Sequence, residues 1–362
     1  MNRLKLTLPI EDIEEGAMNQ INKALEFPFL KTLAIMRDVH QGYDLPIGAV
    51  ALLDGYIWPG AVGYDIGCGM CHITTDHLEH LDYNLGDPNT RLDMLNRLEQ
   101  IIPVGFNERN RPTRDFLKFN NASKIVALKD AVNYKASLQI GTLGGGNHFI
   151  EIGTDYYGYG GITIHSGSRR CGWLIADYYM KMSKGPIPID SELGQAYLQD
   201  MNWALQFALD NRTLMMKKVL EAFGLDKKLI KGMINENHNH AEVTSEGVLH
   251  RKGATSANIG QFGVIPANMR DGVYVTKGLG NEEYLCSAPH GAGRAMSRGQ
   301  AKRDIDYSVF KKQMNEITVR LNEHVLDEAP DAYKNIDYVL DGVEEVLVDV
   351  VNHFKPLIVL KG

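Results

Sequence analysis

The chain has 362 residues, of which 44% are hydrophobic and 23% charged, and its formal net charge is −7. This composition is typical of a globular protein with a sizeable core, and it excludes a nucleic-acid binder with a uniformly basic surface. No apolar run approaches the roughly 20 residues of a membrane span, so we expect no membrane partner.

The first hundred residues are predicted to contain both helix and strand. Residues 10–25 carry a helical pattern, and residues 32–36 and 47–53 are rich in strand-forming residues. Between these strands, residues 37–42 are expected to form a polar loop with ligand-type side chains. An amphipathic helix is predicted at residues 89–102.

Glycine-rich blocks and helices alternate in the remainder of the chain. The other predicted elements are strands at residues 71–75, 149–152 and 162–165, helices at residues 172–184, 192–223 and 303–326, and an apolar β-branched tail at residues 344–351 and 357–360. Residues 109–118 are charged and are expected to form a surface loop. Because no repeat or linker is evident, residues 1–362 are predicted to form one domain of the α+β class.

Residues 62–70, V-G-Y-D-I-G-C-G-M, have the character of a metal-binding loop. Asp65 and Cys68 place a hard oxygen ligand and a soft thiolate three residues apart. The surrounding glycines let the backbone turn sharply and let a ligand approach closely. We therefore expect both side chains to bind metal.

Four of the twelve histidines lie in loops that are rich in glycine or asparagine: His148, His165, His238 and His290. Each one alone is more easily explained as a surface or capping residue. Together with Asp65 they indicate a site for Mn, Fe, Co or Zn rather than for Mg or Ca. A bridging thiolate would hold two ions close together.

The loop that follows His290 has the sequence Gly-Ala-Gly, whose backbone N–H groups are a candidate phosphate cradle. A neutral imidazole at this position is suited to act as a general base, a metal ligand or a nucleophile on phosphorus. The alternative is a turn histidine that precedes a solvated basic helix. Basic patches at residues 169–170, 250–252 and 294–303 are expected to surround the opening of one site and to bind an RNA or DNA backbone there.

Cys68, Cys71 and His72 also match the c-type haem attachment pattern. Haem attachment requires an exported chain, and residues 1–10 are too short and too polar for a secretion signal. Four cysteines in a chain of this length do not indicate a disulfide framework either. We therefore expect a cytoplasmic protein in which Cys71 is a buried packing residue.

Taken together, these motifs resemble the RtcB family of GTP-dependent RNA ligases. The segments that carry the resemblance are Asp38-Val39-His40, residues 62–70, residues 141–152 (G-T-L-G-G-G-N-H-F-I-E-I), residues 165–169, His238-Asn239, residues 251–255 (R-K-G-A-T), residues 290–294, Ser297-Arg298, residues 327–334 (D-E-A-P-D-A-Y-K) and Lys361-Gly362. The resemblance covers nearly the whole chain and implies an RtcB-like fold, with mixed β-sheets at the core flanked by helices.

The resemblance also implies a mechanism. Two Mn²⁺ ions would be bridged by Cys68, one of them also bound by His165 and His238 and the other by Asp65 and His148. His290 would attack GTP and become guanylylated. GMP would then pass to the 3′-phosphate of an RNA, which is first formed from a 2′,3′-cyclic phosphate, and the 5′-OH of a second RNA would displace it, as in RNA repair or tRNA splicing.

The resemblance and the loop chemistry together predict two sets of ligand contacts. The predicted nucleotide-binding residues are Asn147, Glu151, His238, Asn239, Asn268, His290, Gly291, Ala292, Gly293 and Lys361. The predicted RNA phosphate contacts are Arg169, Lys252, Arg294 and Arg298.

Some segments depart from the family pattern. Residues 264–274 read V-I-P-A-N-M-R-D-G-V-Y where the family usually has I-P-G-S-M-G, and residues 287–289 lack the cysteine that commonly precedes the histidine. These departures indicate a paralogous branch in which nucleotide or RNA-end preference is altered. Two alternatives are a two-metal enzyme that opens cyclic phosphates without ligation, and a catalytically inactive metal-containing RNA-binding protein.

Overall fold

The computed structural model describes residues 3–78, 84–114 and 126–362. The α-helices are α1 (Glu15–Leu25), α2 (Pro59–Val62), α3 (Pro88–Ile101), α4 (Val126–Gln139), α5 (Arg169–Ser183), α6 (Glu192–Ala222), α7 (Arg298–Asp304), α8 (Tyr307–Gln313) and α9 (Ile336–Asp341). The strands are β1 (Leu4–Leu6), β2 (Leu30–His40), β3 (Ile47–Leu53), β4 (Tyr56–Ile57), β5 (Gly69–His77), β6 (Phe149–Thr154), β7 (Tyr159–Ser166), β8 (Ile187–Pro188), β9 (Ile234–Asn237), β10 (Asn239–Thr244), β11 (Gly247–Lys252), β12 (Ala254–Ser256), β13 (Phe262–Pro266), β14 (Val273–Gly278), β15 (Ser287–Pro289), β16 (Thr318–Val319) and β17 (Val348–Lys361).

One sheet has the strand order β1-β2-β3-β11-β10, and α1 packs against it. The buried side of α1 contributes Ala17, Ile21 and Ala24 to the same apolar cluster as Leu33 and Ile35 of β2. Burying these side chains is the main contribution to the stability of this layer. The sheet is mixed. Strand β1 runs parallel to β2, whereas the pairs β2–β3, β3–β11 and β11–β10 are antiparallel.

The prediction that residues 37–42 form a loop is wrong for its first four residues. Strand β2 continues to His40, which pairs with Ile47 of β3 after an irregularity in register. Asp38 and Val39 are both buried. The polar side chain of Asp38 is tolerated inside because a partner from a distant segment contacts it, as described below.

A larger sheet has the order β13-β14-β17-β6-β7-β5-β9, and β16 pairs with β17. The long helix α6 and helix α3 pack on this sheet through a second apolar cluster, which includes Leu95, Ile150, Ile164 and Met215. Sheets and helices thus alternate in layers, which confirms the predicted α+β class.

Two predictions for the C-terminal third need correction. The helix predicted at residues 303–326 is interrupted: α7 ends at Asp304, Asp306 caps α8, and the remainder forms β16 and a 3-10 helix at Glu323–Glu328. The apolar tail is one long strand, β17, and the residues immediately before it make a turn in which Glu345 has a φ of 61°.

Residues 109–114 of the predicted surface loop have no regular structure, and residues 115–118 of it lie outside the described ranges. The sequence does not predict helix α4, because residues 126–139 have little amphipathic character and come after a polar segment. In the described part of the chain, no helix is both long enough and apolar enough to span a bilayer.

Candidate active site

The predicted metal ligands meet at one edge of the larger sheet, where the ends of four adjacent strands come together. Neighbouring strands in the order β6-β7-β5-β9 are antiparallel, so the beginnings of β6 and β5 lie beside the ends of β7 and β9. His148 directly precedes β6, Cys68 directly precedes β5, His165 is the next-to-last residue of β7, and His238 directly follows β9. Sequence-distant residues are therefore brought together by strand pairing.

The donor atoms of these residues converge closely. The Sγ atom of Cys68 lies 3.5 Å from Nε2 of His148 and 3.2 Å from Nε2 of His165. An Asp65 carboxylate oxygen lies 3.1 Å from Nε2 of His148, and the Nε2 atoms of His165 and His238 are 3.3 Å apart. Within the described residues, Cys68, His148 and His165 form a buried group that could hold a metal ion.

Backbone carbonyls orient two of these imidazoles. Nδ1 of His148 donates to the carbonyl of Leu143 at 3.0 Å, and Nδ1 of His165 donates to the carbonyl of Asn147 at 3.1 Å. A carbonyl can only accept, so the proton is on Nδ1 and the Nε2 lone pair faces the cluster. Metal-binding histidines usually donate the N–H of the other ring nitrogen to an acceptor of this kind. Burial also lowers the pKa of His165, which keeps the ring neutral and able to bind a metal.

The donor set fits a transition metal better than Mg²⁺ or Ca²⁺, because it offers three imidazoles and a thiol beside one carboxylate. Burial and the neighbouring Asp65 raise the pKa of the Cys68 thiol well above its ordinary value. A cation at this point would reverse that shift by stabilising the thiolate. The buried cluster therefore suits a metal ion chemically.

Two glycines are required by the geometry here: Gly67 in the loop before β5, and Gly69, the first residue of β5. Gly67 has a φ of 72°, in the left-handed region that favours glycine. A Cβ on Gly69 would lie 2.1 Å from the carbonyl oxygen of Glu236 on β9. The loop can hold Cys68 against β9 only because these positions carry no side chain.

Helix α6 braces the ligand loops with two buried polar residues that the sequence analysis did not identify. The guanidinium of Arg212 donates to the carbonyls of Gly67 and Ser166 at 2.9 and 2.8 Å. The neighbouring Asn211 accepts from the backbone N–H groups of Gly141 and Thr142. Since both side chains are fully buried, these bonds fix the loops around Cys68 and His165 relative to each other.

His290 directly follows β15 and is held by Asp38 of β2. Nδ1 of His290 donates to Oδ2 of Asp38 at 2.6 Å, and the backbone N–H of His290 donates to the same oxygen at 3.2 Å. The Nε2 lone pair is therefore free, and the ring centre lies 4.7 Å from that of His238. The Asp38-Val39-His40 motif signalled this partner, but the sequence did not reveal its role.

A cavity of about 550 Å³ opens beside His290. Its lining includes Asn147, Glu151, Lys361 and residues 266–269 and 290–298. This volume is in the usual range of a small-molecule site. Oε1 of Glu151 is buried without a hydrogen-bond partner among the described residues, and burial raises the pKa of this carboxyl group. An unpaired buried carboxyl group that lines a cavity is suited to bind a polar ligand.

Glu328 is the centre of a buried charge cluster in the cavity wall. Its carboxylate accepts from Lys361 at 2.9 Å, from Tyr333 at 2.6 Å and from Arg298 at 2.6 Å, and Arg294 lies 3.3 Å away. Burial alone would raise the pKa of Glu328, but the charges of Lys361 and Arg298 and the hydrogen bond from Tyr333 lower it to about 2. The predicted ligand contacts Lys361, Arg294 and Arg298 are thus joined in one network that the sequence analysis did not foresee.

Glu328→Gln is expected to lower the free energy of unfolding at neutral pH by roughly 3 kcal/mol, because it leaves the buried Lys361 ammonium without its anion. The folded-state pKa of Glu328 is depressed, so its contribution is present above about pH 4.5 and is lost as the pH falls toward 2. Urea unfolding at a series of pH values measures both effects.

The variant should therefore show a weaker loss of stability between pH 5 and 3 than the unmodified protein. Glu323→Gln is the matched control, because Glu323 is an exposed residue of the same 3-10 helix. Equal acid profiles for the Glu328→Gln variant and the unmodified protein would show that the cluster does not stabilise the fold.

The predicted basic patch at residues 250–252 is not exposed, because these residues form the inner strand β11. Lys252 is buried and its ammonium donates to the carbonyl of Gly60 at 2.7 Å, while burial lowers its pKa to about 8. Arg251 is also buried and pairs with Glu242 at 2.6 Å. Because the Lys252 ammonium is buried and already bonded to a carbonyl, the structure does not support a phosphate contact by this residue.

Three other predicted contacts are engaged within the protein. Asn239 donates to the carbonyl of Asp65 and accepts from a neighbouring backbone N–H, so it supports the metal loop. Asn268 lines the cavity, but its amide bonds to Asp271 within its own turn. In the candidate phosphate cradle, the N–H of Ala292 donates to a backbone carbonyl and is not available to a ligand.

Arg169 lies beside the metal cluster in an unusual backbone conformation, with a φ of 58°. Its guanidinium donates to the carbonyl of Gly105 at 3.1 Å and to the hydroxyl of Thr142 at 3.3 Å.

Cys71 is buried in the second apolar cluster, and burial raises the pKa of its thiol to about 12. This position accords with its expected role as a packing residue.

Comparison with known proteins adds independent information. The family model described as "tRNA-splicing ligase RtcB" matches residues 20–132 and 117–362. The RNA-splicing ligase RtcB of Escherichia coli K12 is 33% identical, over 97% of this chain and 95% of that protein. The tRNA-splicing ligase RtcB of Aeropyrum pernix is 29% identical, over 91% of this chain and 87% of its own length. The chain therefore belongs to the RtcB family.

Proposed function

We propose that the protein is a Mn²⁺- and GTP-dependent RNA ligase. It joins RNA that ends in a 2′,3′-cyclic phosphate or 3′-phosphate to RNA that begins with a 5′-OH, in RNA repair or tRNA splicing. The observation that carries the proposal is His290, whose Nδ1 is held by Asp38 while its Nε2 is free beside the cavity and the donor cluster. Family membership and the names of the relatives support the same activity.

In the first step, Nε2 of His290 attacks the α-phosphorus of GTP. A P–N bond forms, the bond to the β-phosphate oxygen breaks, and pyrophosphate leaves. The imidazole gains positive character as it attacks, and the buried carboxylate of Asp38 stabilises that charge through the Nδ1 proton. Asp38 also fixes the ring tautomer, as the carboxylate does in other His–Asp pairs.

The metal cluster lies directly beside this nucleophile. Cys68, His165 and His238 would hold one Mn²⁺ ion, and Cys68, Asp65 and His148 would hold a second. When bound, the ions neutralise the charge on the phosphates that approach His290. The His238 ring, which contacts both His165 and His290, links the two parts of the site.

The cavity provides the proposed nucleotide contacts. The carboxyl group of Glu151, whose Oε1 has no hydrogen-bond partner among the described residues, and the ammonium of Lys361 are suited to the guanine edge, and Asn147 lines the same cavity. Arg294 and Arg298 lie at the cavity wall, where RNA phosphates would compete with Glu328 for them. Arg169 would contact RNA phosphate from the other side of the metal cluster.

The later steps follow from the first. Water opens the 2′,3′-cyclic phosphate to a 3′-phosphate, whose oxygen attacks the phosphorus on His290 and releases the imidazole. The 5′-OH of the second RNA then attacks the activated 3′-phosphate, forming the phosphodiester and releasing GMP. We also propose a cytoplasmic setting, because the thiol of Cys68 must remain reduced to bind metal.

An end-joining assay tests the proposal. Two RNA strands, one with a 3′-phosphate and one with a 5′-OH, are expected to give a joined product only when both MnCl₂ and GTP are present. Conversion of a cyclic phosphate to a 3′-phosphate without any joining would favour the two-metal phosphoesterase instead. No change in either RNA would favour a binding protein without catalysis.

A further inference from the structure

Three aromatic rings and a guanidinium, here called the aromatic array, lie next to one another at the surface. Tyr43 meets Tyr64 edge to face at 5.1 Å, and Tyr64 stacks on Trp173 at 5.8 Å with 19° between the ring planes. The guanidinium of Arg170 lies 3.5 Å from the centre of the Trp173 ring. Tyr43 is 62% exposed and Arg170 is also exposed, so both ends of the array face solvent.

The aromatic array borders the candidate active site. Tyr64 directly precedes the proposed ligand Asp65, and Tyr43 directly follows Gly42, which lines the cavity beside His290. Consecutive Cα atoms are only about 3.8 Å apart, so the array begins within one residue of the metal loop and of the cavity wall. The array is therefore close enough for a polymer bound in the active site to reach it.

The polar end of the array carries an uncommitted positive charge. Among the described residues, the Arg170 guanidinium has neither a carboxylate partner nor a hydrogen bond, and it lies over the indole of Trp173. An exposed cation–π contact of this kind contributes about 0.5–1 kcal/mol, so the guanidinium can rearrange when a ligand binds. Ring faces and a free cation are thus combined in one surface.

Resting on the RNA chemistry of the proposed function, we propose that the aromatic array is a stacking platform for the unpaired bases at an end of the RNA substrate. Bases stack on the Tyr43 ring and on the guanidinium plane of Arg170, while Tyr64 and Trp173 support these two surfaces between them. Proteins commonly bind single strands by stacking bases on aromatic rings and arginine planes. Such stacking tolerates any sequence, and it requires bases that are not already inside a duplex.

Binding of a short RNA tests this platform. The probe is a labelled single strand of about ten nucleotides with a 5′-OH and a 3′-phosphate, followed by fluorescence anisotropy without GTP. Tyr43→Ala removes a stacking ring, and Trp173→Ala removes the support of the Arg170 plane. Each change is expected to raise the Kd on the order of tenfold, the usual effect of losing one stacking surface. Tyr43→Phe keeps the ring and should retain the binding of the unmodified protein. Thermal unfolding identifies any variant that has lost its fold.

Two variants separate stacking from charge and from general effects of aromatic residues. Arg170→Lys keeps the positive charge but removes the plane, so it should weaken binding while the salt dependence stays the same. Tyr156→Ala is the matched control, because Tyr156 is 94% exposed in the turn between β6 and β7, at the end of these strands away from His148 and His165. Its Kd should equal that of the unmodified protein.

An abasic strand of the same length provides the decisive comparison. If the array stacks bases, the Trp173→Ala and Tyr43→Ala variants bind the abasic strand as the unmodified protein does. Equal losses for both strands, or unchanged binding of the normal RNA, would overturn the proposal; unchanged binding would leave the array as a surface for a protein partner. Labelling of the unmodified protein by GTP is measured separately, so failure of the proposed function can be distinguished from failure of the platform.

Discussion

His290→Ala is expected to abolish the covalent transfer of label from α-³²P-labelled GTP to the protein. The structure leaves only Nε2 of this ring free beside the cavity, because Nδ1 is bonded to Asp38. An alanine has no atom that can form the P–N bond, so labelled protein should fall to background on a denaturing gel. The bond should also be lost in acid and stable in base, which is the behaviour of a phosphoramidate.

Asp38→Asn tests how the histidine is prepared for attack. The amide keeps the size of the side chain but removes the negative charge and can hold the wrong tautomer of His290. We expect the labelling rate to fall by on the order of 10²-fold or more while the amount of bound metal is unchanged. A fall in metal content instead would mean that Asp38 acts on the cluster rather than on His290.

His324→Ala is the control for both variants. His324 is exposed in the 3-10 helix at Glu323–Glu328. The His324→Ala protein should therefore be labelled by GTP to the same extent as the unmodified protein. Full labelling of the His290→Ala protein would exclude this residue as the nucleophile. The cavity and the donor cluster would then have to serve another reaction.

The residues of the donor cluster could be identified from sequence because each lies in a local pattern. Asp65 and Cys68 share one glycine-rich loop. The three histidines lie where a strand begins or ends, each within two residues of a glycine or an asparagine. Close packing of a metal site demands small neighbours, as the Cβ clash expected at Gly69 shows. A local requirement of this kind leaves a local trace in the sequence.

The residues that hold the site together left no such trace. Asp38 was expected in a polar loop, yet it lies buried in β2 and contacts His290, which is 252 residues away in the chain. Arg212 lies within a long helical pattern and looks like an ordinary surface cation, whereas it is fully buried against Gly67 and Ser166. These roles depend on long-range contacts, which a single sequence does not display.

The same reason explains the errors about charge. Arginine and lysine at residues 250–252 suggested a basic surface, but the pairing of β11 between β3 and β10 places them inside the protein. Glu328 gathers Lys361, Arg294 and Arg298, which were expected to be available for ligands. Counting charges along a sequence therefore overestimated the free positive charge around the site.

Cys68→Ala is expected to remove tight Mn²⁺ binding, and with it the labelling of His290 by GTP. Its thiol lies within 3.5 Å of Nε2 of both His148 and His165, so it is the donor that both proposed ions would share. Bound Mn²⁺ is measured after dialysis, and it should fall from about two ions per chain to well below one. Excess Mn²⁺ should raise the melting temperature of the unmodified protein and leave that of the variant unchanged.

Cys71→Ala distinguishes loss of a ligand from loss of a buried sulfur. Cys71 is also a free buried thiol, three residues further along, but its side chain packs among apolar residues on β5. Its replacement should cost about 1–2 kcal/mol of stability through the cavity it leaves, with metal content and labelling preserved. If the Cys68→Ala protein retained two ions, or if both variants lost them equally, the bridging role of Cys68 would be wrong. If only the Cys68→Ala protein loses the ions and the labelling, the Cys68 thiolate binds the metal that labelling of His290 requires.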